Sequence, residues 1–281
     1  MPPTAPHCRV VVTGDDVWED LTTALEQTRI IATAADMVVS VESGLARLTA
    51  QQPTPRSPRP DGPDVVVLLT AAGEFTPDQQ KRVNAMVRAG MGLLAIHCSA
   101  FFPGLNTDAP RPGADGYWST AFNLLGVRYD SHGPLPHDTT FTVRLSSDHP
   151  ITAGLDDFPI THEHYHMVLA EQRPHVLAWR DSACGPEPIM TAKDWGAGRV
   201  VYLQLGHDMR TFGEPAVREL ISRALTWVAP STRRSCLDAP AEHPVSLECE
   251  PGHERATCVE PDVCADPTPQ HSTTLGGEAS R

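Results

Sequence analysis

Two short runs, Asp64–Thr70 (DVVVLLT) and Gly92–His97 (GLLAIH), carry apolar side chains on both faces and constrain this chain more than any other feature. A strand that is apolar on both faces has to be covered on both, which implies a parallel sheet between two helical layers. A helix signal lies between the runs. Thr76-Pro77-Asp78-Gln79 reads as an N-cap, a first-turn proline and an acidic first turn; Val83, Met86 and Val87 face inward and Gly90 ends the helix. The same alternation occurs upstream. Arg9–Thr13 is a strand closed by Gly14, Trp18–Thr33 has helical spacing, Met37–Val41 is a second strand, and a short helix follows Ser43. Open sheets of this kind bind ligands at the carboxyl ends of their strands, so Gly14–Trp18, Ala71–Phe75 and His97–Phe101 are the candidate site loops.

The second half is richer in strands, expected at 139–145, 164–170, 176–180, 187–192 and 199–205, with a closing helix over Glu214–Val228. Periodicity stops after Pro230. Many of the 27 prolines fall in that last stretch, so the expected organisation is one α/β domain over 8–229 and a disordered tail over 230–281. A net charge of −13 with no Lys/Arg cluster argues against nucleic acid and anionic membranes as partners. No run of about twenty apolar residues is present, and Met1–Cys8 lacks a signal-peptide pattern, so a cytoplasmic protein with reduced thiols is expected. The tail residues Cys249, His253, Cys258 and Cys264 match no established zinc spacing.

Three places could carry chemistry. His97-Cys98-Ser99 follows the most buried strand. A strand built only for packing would end on an apolar residue, and an imidazole at a site edge suits proton transfer or metal binding. Cys98 reads either as a nucleophile or, more simply, as a small buried residue. In Thr161-His162-Glu163-His164-Tyr165-His166, a continuous strand would put three histidines on one face and Glu163 with Tyr165 on the other. Three imidazoles suggest zinc, although a solvated histidine face is the competing reading, and the spacing is not HExxH. Lastly, Gly196–Leu205 is a turn and a strand that ends on Gly206-His207-Asp208. Neither GK[ST] nor GxSxG occurs at these places, so phosphate-loop and serine-hydrolase mechanisms have no motif support.

Taken together, Val10–Trp18, Gly92–His97, Asp148-His149-Pro150-Ile151-Thr152-Ala153-Gly154-Leu155, Glu163–His166 and Gly198–Asp208 resemble the trehalose utilisation (ThuA-like) family, over about residues 8–229. The resemblance implies a flavodoxin-like, class I glutamine amidotransferase-like fold: a mostly parallel sheet with helices on both faces, plus extra strands in the second half. It implies that His97 stands at the turn where amidotransferases carry their cysteine, with Cys98 one residue off and its thiol turned elsewhere. It further implies that Glu163, Tyr165 and His207 line one pocket. The family's usual Asp before the Glu is His162 here, and its aromatic before the Gly-x-Gly-Arg turn is replaced near Met190 and Thr191.

These readings give His97, Glu163 and His207 as expected catalytic residues, with Tyr165, Asp208, Trp18 and Asp15 around a small carbohydrate-like substrate. No cofactor is required by the sequence; a divalent metal such as zinc is the one that His97, Glu163 and His207 would accept. The function the resemblance implies is acid–base or metal-assisted isomerisation, hydrolysis or lysis of a sugar or keto-sugar, not amidotransfer. The competing functions are a non-catalytic carbohydrate- or partner-binding module and a Cys98 thiol enzyme. Oligomerisation is compatible with all three.

Overall fold

The computed structural model describes residues 5–14, 19–50, 62–71, 75–102, 114–133, 137–183 and 185–230. The tail, with Cys249, His253, Cys258 and Cys264, and the predicted site residues Asp15 and Trp18 lie outside the described residues. No helix among those described is long and apolar enough to cross a membrane.

The amino-terminal half alternates as its sequence pattern requires: β1 (His7–Gly14), α1 (Leu21–Ala34), β2 (Val38–Ser43), α2 (Ala46–Ala50), β3 (Val65–Ala71), α3 (Pro77–Arg88) and β4 (Gly92–Ile96). The chain continues through a 3-10 turn (His97–Ala100), α4 (Ala114–Leu125), β5 (Val127–His132), β6 (Asp138–Leu145), β7 (Phe158–Glu163) and β8 (Tyr165–Leu169). It closes with β9 (His175–Arg180), β10 (Glu187–Trp195), β11 (Gly198–Leu203), α5 (Met209–Gly213) and α6 (Pro215–Val228). The nine-stranded sheet has the order β2-β1-β3-β4-β11-β10-β9-β6-β7, and β5 pairs with β8 in a separate two-stranded sheet. Pairing is parallel from β2 to β11 and antiparallel from β11 outward, so the sheet is mixed.

The doubly apolar strands are explained by two cores. Val65, Val67, Leu69, Leu94 and Ile96 pack with α1, α5 and α6 on one side of the sheet. Val66, Leu68, Leu93 and Ala95 pack with α2, α3 and α4 on the other. The Thr76 signal is realised as a capping box, in which Thr76 Oγ1 accepts from Gln79 N–H and Gln79 Oε1 accepts from Thr76 N–H.

The structure also corrects the sequence pattern. Elements α4, β5 and β7 are not marked by it. The segment 161–166 is not one strand: β7 ends at Glu163 in the large sheet, and β8 begins at Tyr165 in the small one. The change of partner at His164 breaks the period of two, so the three histidines do not share a face. His162 Nε2 accepts from the N–H groups of Gly206 and His207, His164 Nδ1 meets Thr139 Oγ1, and His166 Nδ1 meets Glu187.

Candidate active site

His97 sits at the carboxyl end of β4, buried, with a φ of 51°. A non-glycine residue in this left-handed region is uncommon and costs about 1–3 kcal/mol, so the surroundings have to hold it there. They do. His97 Nδ1 donates to the Gln204 carbonyl at 2.7 Å, the Tyr202 hydroxyl donates to the His97 carbonyl at 2.9 Å, and Ser99 Oγ donates to the Leu68 carbonyl at 2.7 Å. Because a carbonyl can only accept, Nδ1 carries hydrogen and Nε2 is left for chemistry.

Nε2 faces four groups. Tyr165 Oη is 2.9 Å away, His207 Nδ1 3.3 Å, Glu163 Oε2 3.5 Å and Glu19 Oε1 3.7 Å. Glu163 and Tyr165 arrive from opposite sides of the β7/β8 junction, with Tyr165 Oη 3.3 Å from Glu163 Oε2. His207 arrives on the segment after β11, and Gly206 makes that approach possible. A Cβ on Gly206 would lie 2.4 Å from Ile96 Cγ2. His162 ties that segment to the β7 end, its Nε2 accepting from the Gly206 and His207 N–H groups and its Nδ1 donating to the Glu163 carbonyl.

Electrostatics separate these groups. Burial alone would raise Glu163, but hydrogen bonds from His132 and His97, with the charges of His97 and His207, hold it well below the usual carboxylate range. Burial works against a charged His97, yet the Glu19 charge and the Glu163 contact outweigh it and raise its pKa. Burial raises the Glu19 pKa, and Glu19 Oε1 has no hydrogen-bond partner. Burial also lowers His162 to about 3, so the ring stays neutral, and both its nitrogens are engaged by backbone groups. Burial and Glu19 push the Cys98 thiol far up, which disfavours a thiolate nucleophile.

His97, Glu163, Tyr165 and His207 lie together, with neighbouring nitrogen and oxygen atoms 2.9–3.5 Å apart. Asp208 is not brought into the cluster. Its carboxylate accepts from Arg210 N–H and Thr211 N–H as the α5 cap, and it pairs with the Arg210 guanidinium. Cys98 also departs from expectation: its Sγ points into the cluster, 3.5 Å from Tyr165 Oη. The sequence pattern did not mark Glu19, one residue before the Asp20 cap of α1. It also missed Tyr129 and His132 on β5, whose Oη and Nδ1 are 2.5 Å apart; His132 Nε2 lies 3.8 Å from Glu163 Oε2. Among the described residues two sets could hold an ion, His97/Glu163/His207 and Glu19/His97/Cys98, and they share His97.

The fold and this cluster define a mixed-sheet α/β protein with a buried imidazole–carboxylate–phenol centre at the carboxyl edge of its parallel strands. The model of the ThuA (trehalose utilisation) family matches residues 60–228, and the chain belongs to that family. No curated protein matches it in sequence. Among solved structures, it is similar to a ThuA-like protein from Parabacteroides merdae, with a TM-score of 0.59 and 15% identity over 84% of this chain and 94% of that one. It is also similar to a cytoplasmic protein from Salmonella typhimurium, with a TM-score of 0.54 and 12% identity over 79% and 99% of the two chains. A third likeness is to part of a β-galactosidase from Rahnella, with a TM-score of 0.51 and 15% identity over 80% of this chain and 32% of that one. At these identities the likeness is one of fold.

Proposed function

We propose that this chain is an enzyme of sugar or keto-sugar chemistry whose centre holds one divalent ion, such as zinc, on His97, Glu163 and His207. One observation carries this reading. His97 Nε2, Glu163 Oε2 and His207 Nδ1 form a triangle with sides of 3.3, 3.5 and 3.5 Å. Ligand atoms about 2.1 Å from a tetrahedral ion stand about 3.4 Å apart, so the triangle suits one face of such a tetrahedron and leaves the fourth position for substrate. Two imidazoles and a carboxylate are a suitable donor set for zinc, and the Gln204 carbonyl on His97 Nδ1–H is the outer partner that such a ligand needs. An ion held there would polarise a substrate carbonyl or hydroxyl. Tyr165 keeps a proton at Oη within reach of Glu163, placed to exchange it with a neighbouring oxygen. The family's description as trehalose utilisation supports the carbohydrate class. The parallel order β2-β1-β3-β4-β11 supports the flavodoxin-like, amidotransferase-like reading of the fold, with a histidine where that chemistry needs a thiol.

The 2.9 Å contact of Tyr165 Oη with His97 Nε2 favours a second, metal-free reading. With His97 protonated, Nε2–H donates to Tyr165 Oη, and the Tyr165 hydroxyl donates to Glu163. That is a proton line suited to moving a hydrogen on a keto-sugar. The two readings compete for one site, Nε2, which either carries a proton or donates its lone pair to an ion. Elemental analysis separates them. The first reading expects about one ion per chain after zinc loading, loss of it in Glu163→Gln and His207→Ala, and affinity that rises with pH as Nε2 gives up its proton. A zinc-loaded protein that keeps no ion, and turns over keto-sugars in the presence of chelator, would select the second.

A further inference from the structure

The site continues outward as a chain of aromatic rings. Tyr165 stacks on His97 with centroids 4.8 Å apart. Tyr129 meets Tyr165 edge to face at 4.8 Å, and Phe101 meets Tyr129 in the same way at 5.3 Å. Phe101 differs from its chain neighbours in one respect. Ala100 and Phe102 belong to the core beneath the sheet, whereas Phe101 and Tyr129 belong to neither core and remain half-buried. Phe101 N–H donates to the Cys98 carbonyl, and Tyr129 is held more firmly. The Tyr129 hydroxyl is bonded to His132 Nδ1, and the His132 ring packs against both Tyr129 and Tyr165. Half-buried aromatic rings held in place beside a catalytic cluster, with no role in the core, make a surface for a ligand.

The chemistry around them selects the ligand. Glu19 and Glu163 place two carboxylates beside His97, and among the described residues no lysine or arginine pairs with either, so a phosphate-bearing ligand would be disfavoured there. Carboxylate oxygens and imidazole nitrogens match the hydroxyls of a neutral polyol, and an aromatic face matches its axial C–H groups. We infer that Phe101 and Tyr129 form the stacking platform of a sugar-ring subsite next to the His97–Glu163–His207 centre, with Phe101 supplying the outer ring. This inference rests on the carbohydrate reading above and adds to it the position of the ring that is bound.

Calorimetry and saturation-transfer NMR with trehalose and glucose as probes test it on the full chain. The variants are Phe101→Ala, Phe101→Leu, Phe101→Trp and Glu163→Gln, each checked for retained fold by circular dichroism. Phe101→Leu keeps apolar bulk and removes only the ring. Both Phe101→Ala and Phe101→Leu should weaken the better-binding sugar about three- to tenfold, the usual worth of an aromatic contact, and Phe101→Trp should retain it. Unchanged binding in Phe101→Leu alongside weakened binding in Glu163→Gln would overturn the platform and leave the site intact. Binding that is insensitive to Glu163→Gln, or no binding of either sugar to the wild-type chain, would overturn the carbohydrate site itself and the platform with it.

Discussion

The left-handed backbone of His97 ties its local energetics to its chemistry. An L side chain at a φ of 51° is held against its preference by the Gln204, Tyr202 and Ser99 hydrogen bonds around the turn. Removing the imidazole should therefore have different stability costs depending on the replacement. His97→Gly accepts the conformation freely, whereas His97→Ala retains the clash of Cβ with the backbone. Urea denaturation should find His97→Gly more stable than His97→Ala by about 1 kcal/mol, with both variants lacking the centre's chemistry. Equal stabilities would mean that the turn relaxes once the imidazole is gone. The sequence marked His97 and His207 because each follows a buried strand with a polar residue where packing alone would call for an apolar one. Glu19 carried no such mark. An acidic residue just before a helix reads as ordinary, and only the fold reveals that its carboxylate is buried with Oε1 unpartnered beside His97.

Among the elements, α3 shows how far local signals reach. Its start was legible because the capping box is written in four consecutive residues and is satisfied within them. Thr76→Ala should destabilise the chain by about 1 kcal/mol in urea denaturation while leaving metal stoichiometry unchanged, since α3 contributes no side chain to the centre. Strands β1, β3 and β4 were legible for a related reason, as each sends alternate residues into two cores. Strand β5 (VRYDSH) has no such alternation. Only Val127 is buried on it, and the strand exists because it pairs with β8. The break between β7 and β8 was invisible because THEHYH has one continuous polar pattern, and only tertiary pairing decides which residues belong to which sheet.

For the whole molecule, histidine burial predicts acid lability. Burial holds His149 at about 4, His162 at about 3 and His164 at about 4, each below the ordinary imidazole value of 6.5. For a base whose folded pKa is depressed, the unfolded chain takes up protons first as the pH falls. The stability is thus complete above about pH 6.5 and is lost from there toward the folded values, by up to about 1.4 kcal/mol per pH unit for each histidine. His97 has the opposite sign. Its folded pKa is raised, so its contribution is full below about pH 6.5 and is lost as pH rises through the folded value. The His97 contribution is therefore level below about pH 6.5, and the raised pKa of Glu19 works the other way as the pH falls. Three depressed histidines against that one carboxyl should still lower the urea midpoint between about pH 6.5 and 5. A midpoint that stays level over that range would mean the three rings are not held neutral.

The partner switch at His164 has one more consequence. Glu163 is the last residue of the large sheet's edge strand, and Tyr165 is the first of the strand that builds the small one, so the carboxylate and the phenol are mounted on separate frames joined by a single residue. A molecule that grips both would act as a brace between those frames. Its binding energy would then couple the opening of β5 and β8 to that of the main sheet, so that a bound substrate would make the small sheet more rigid.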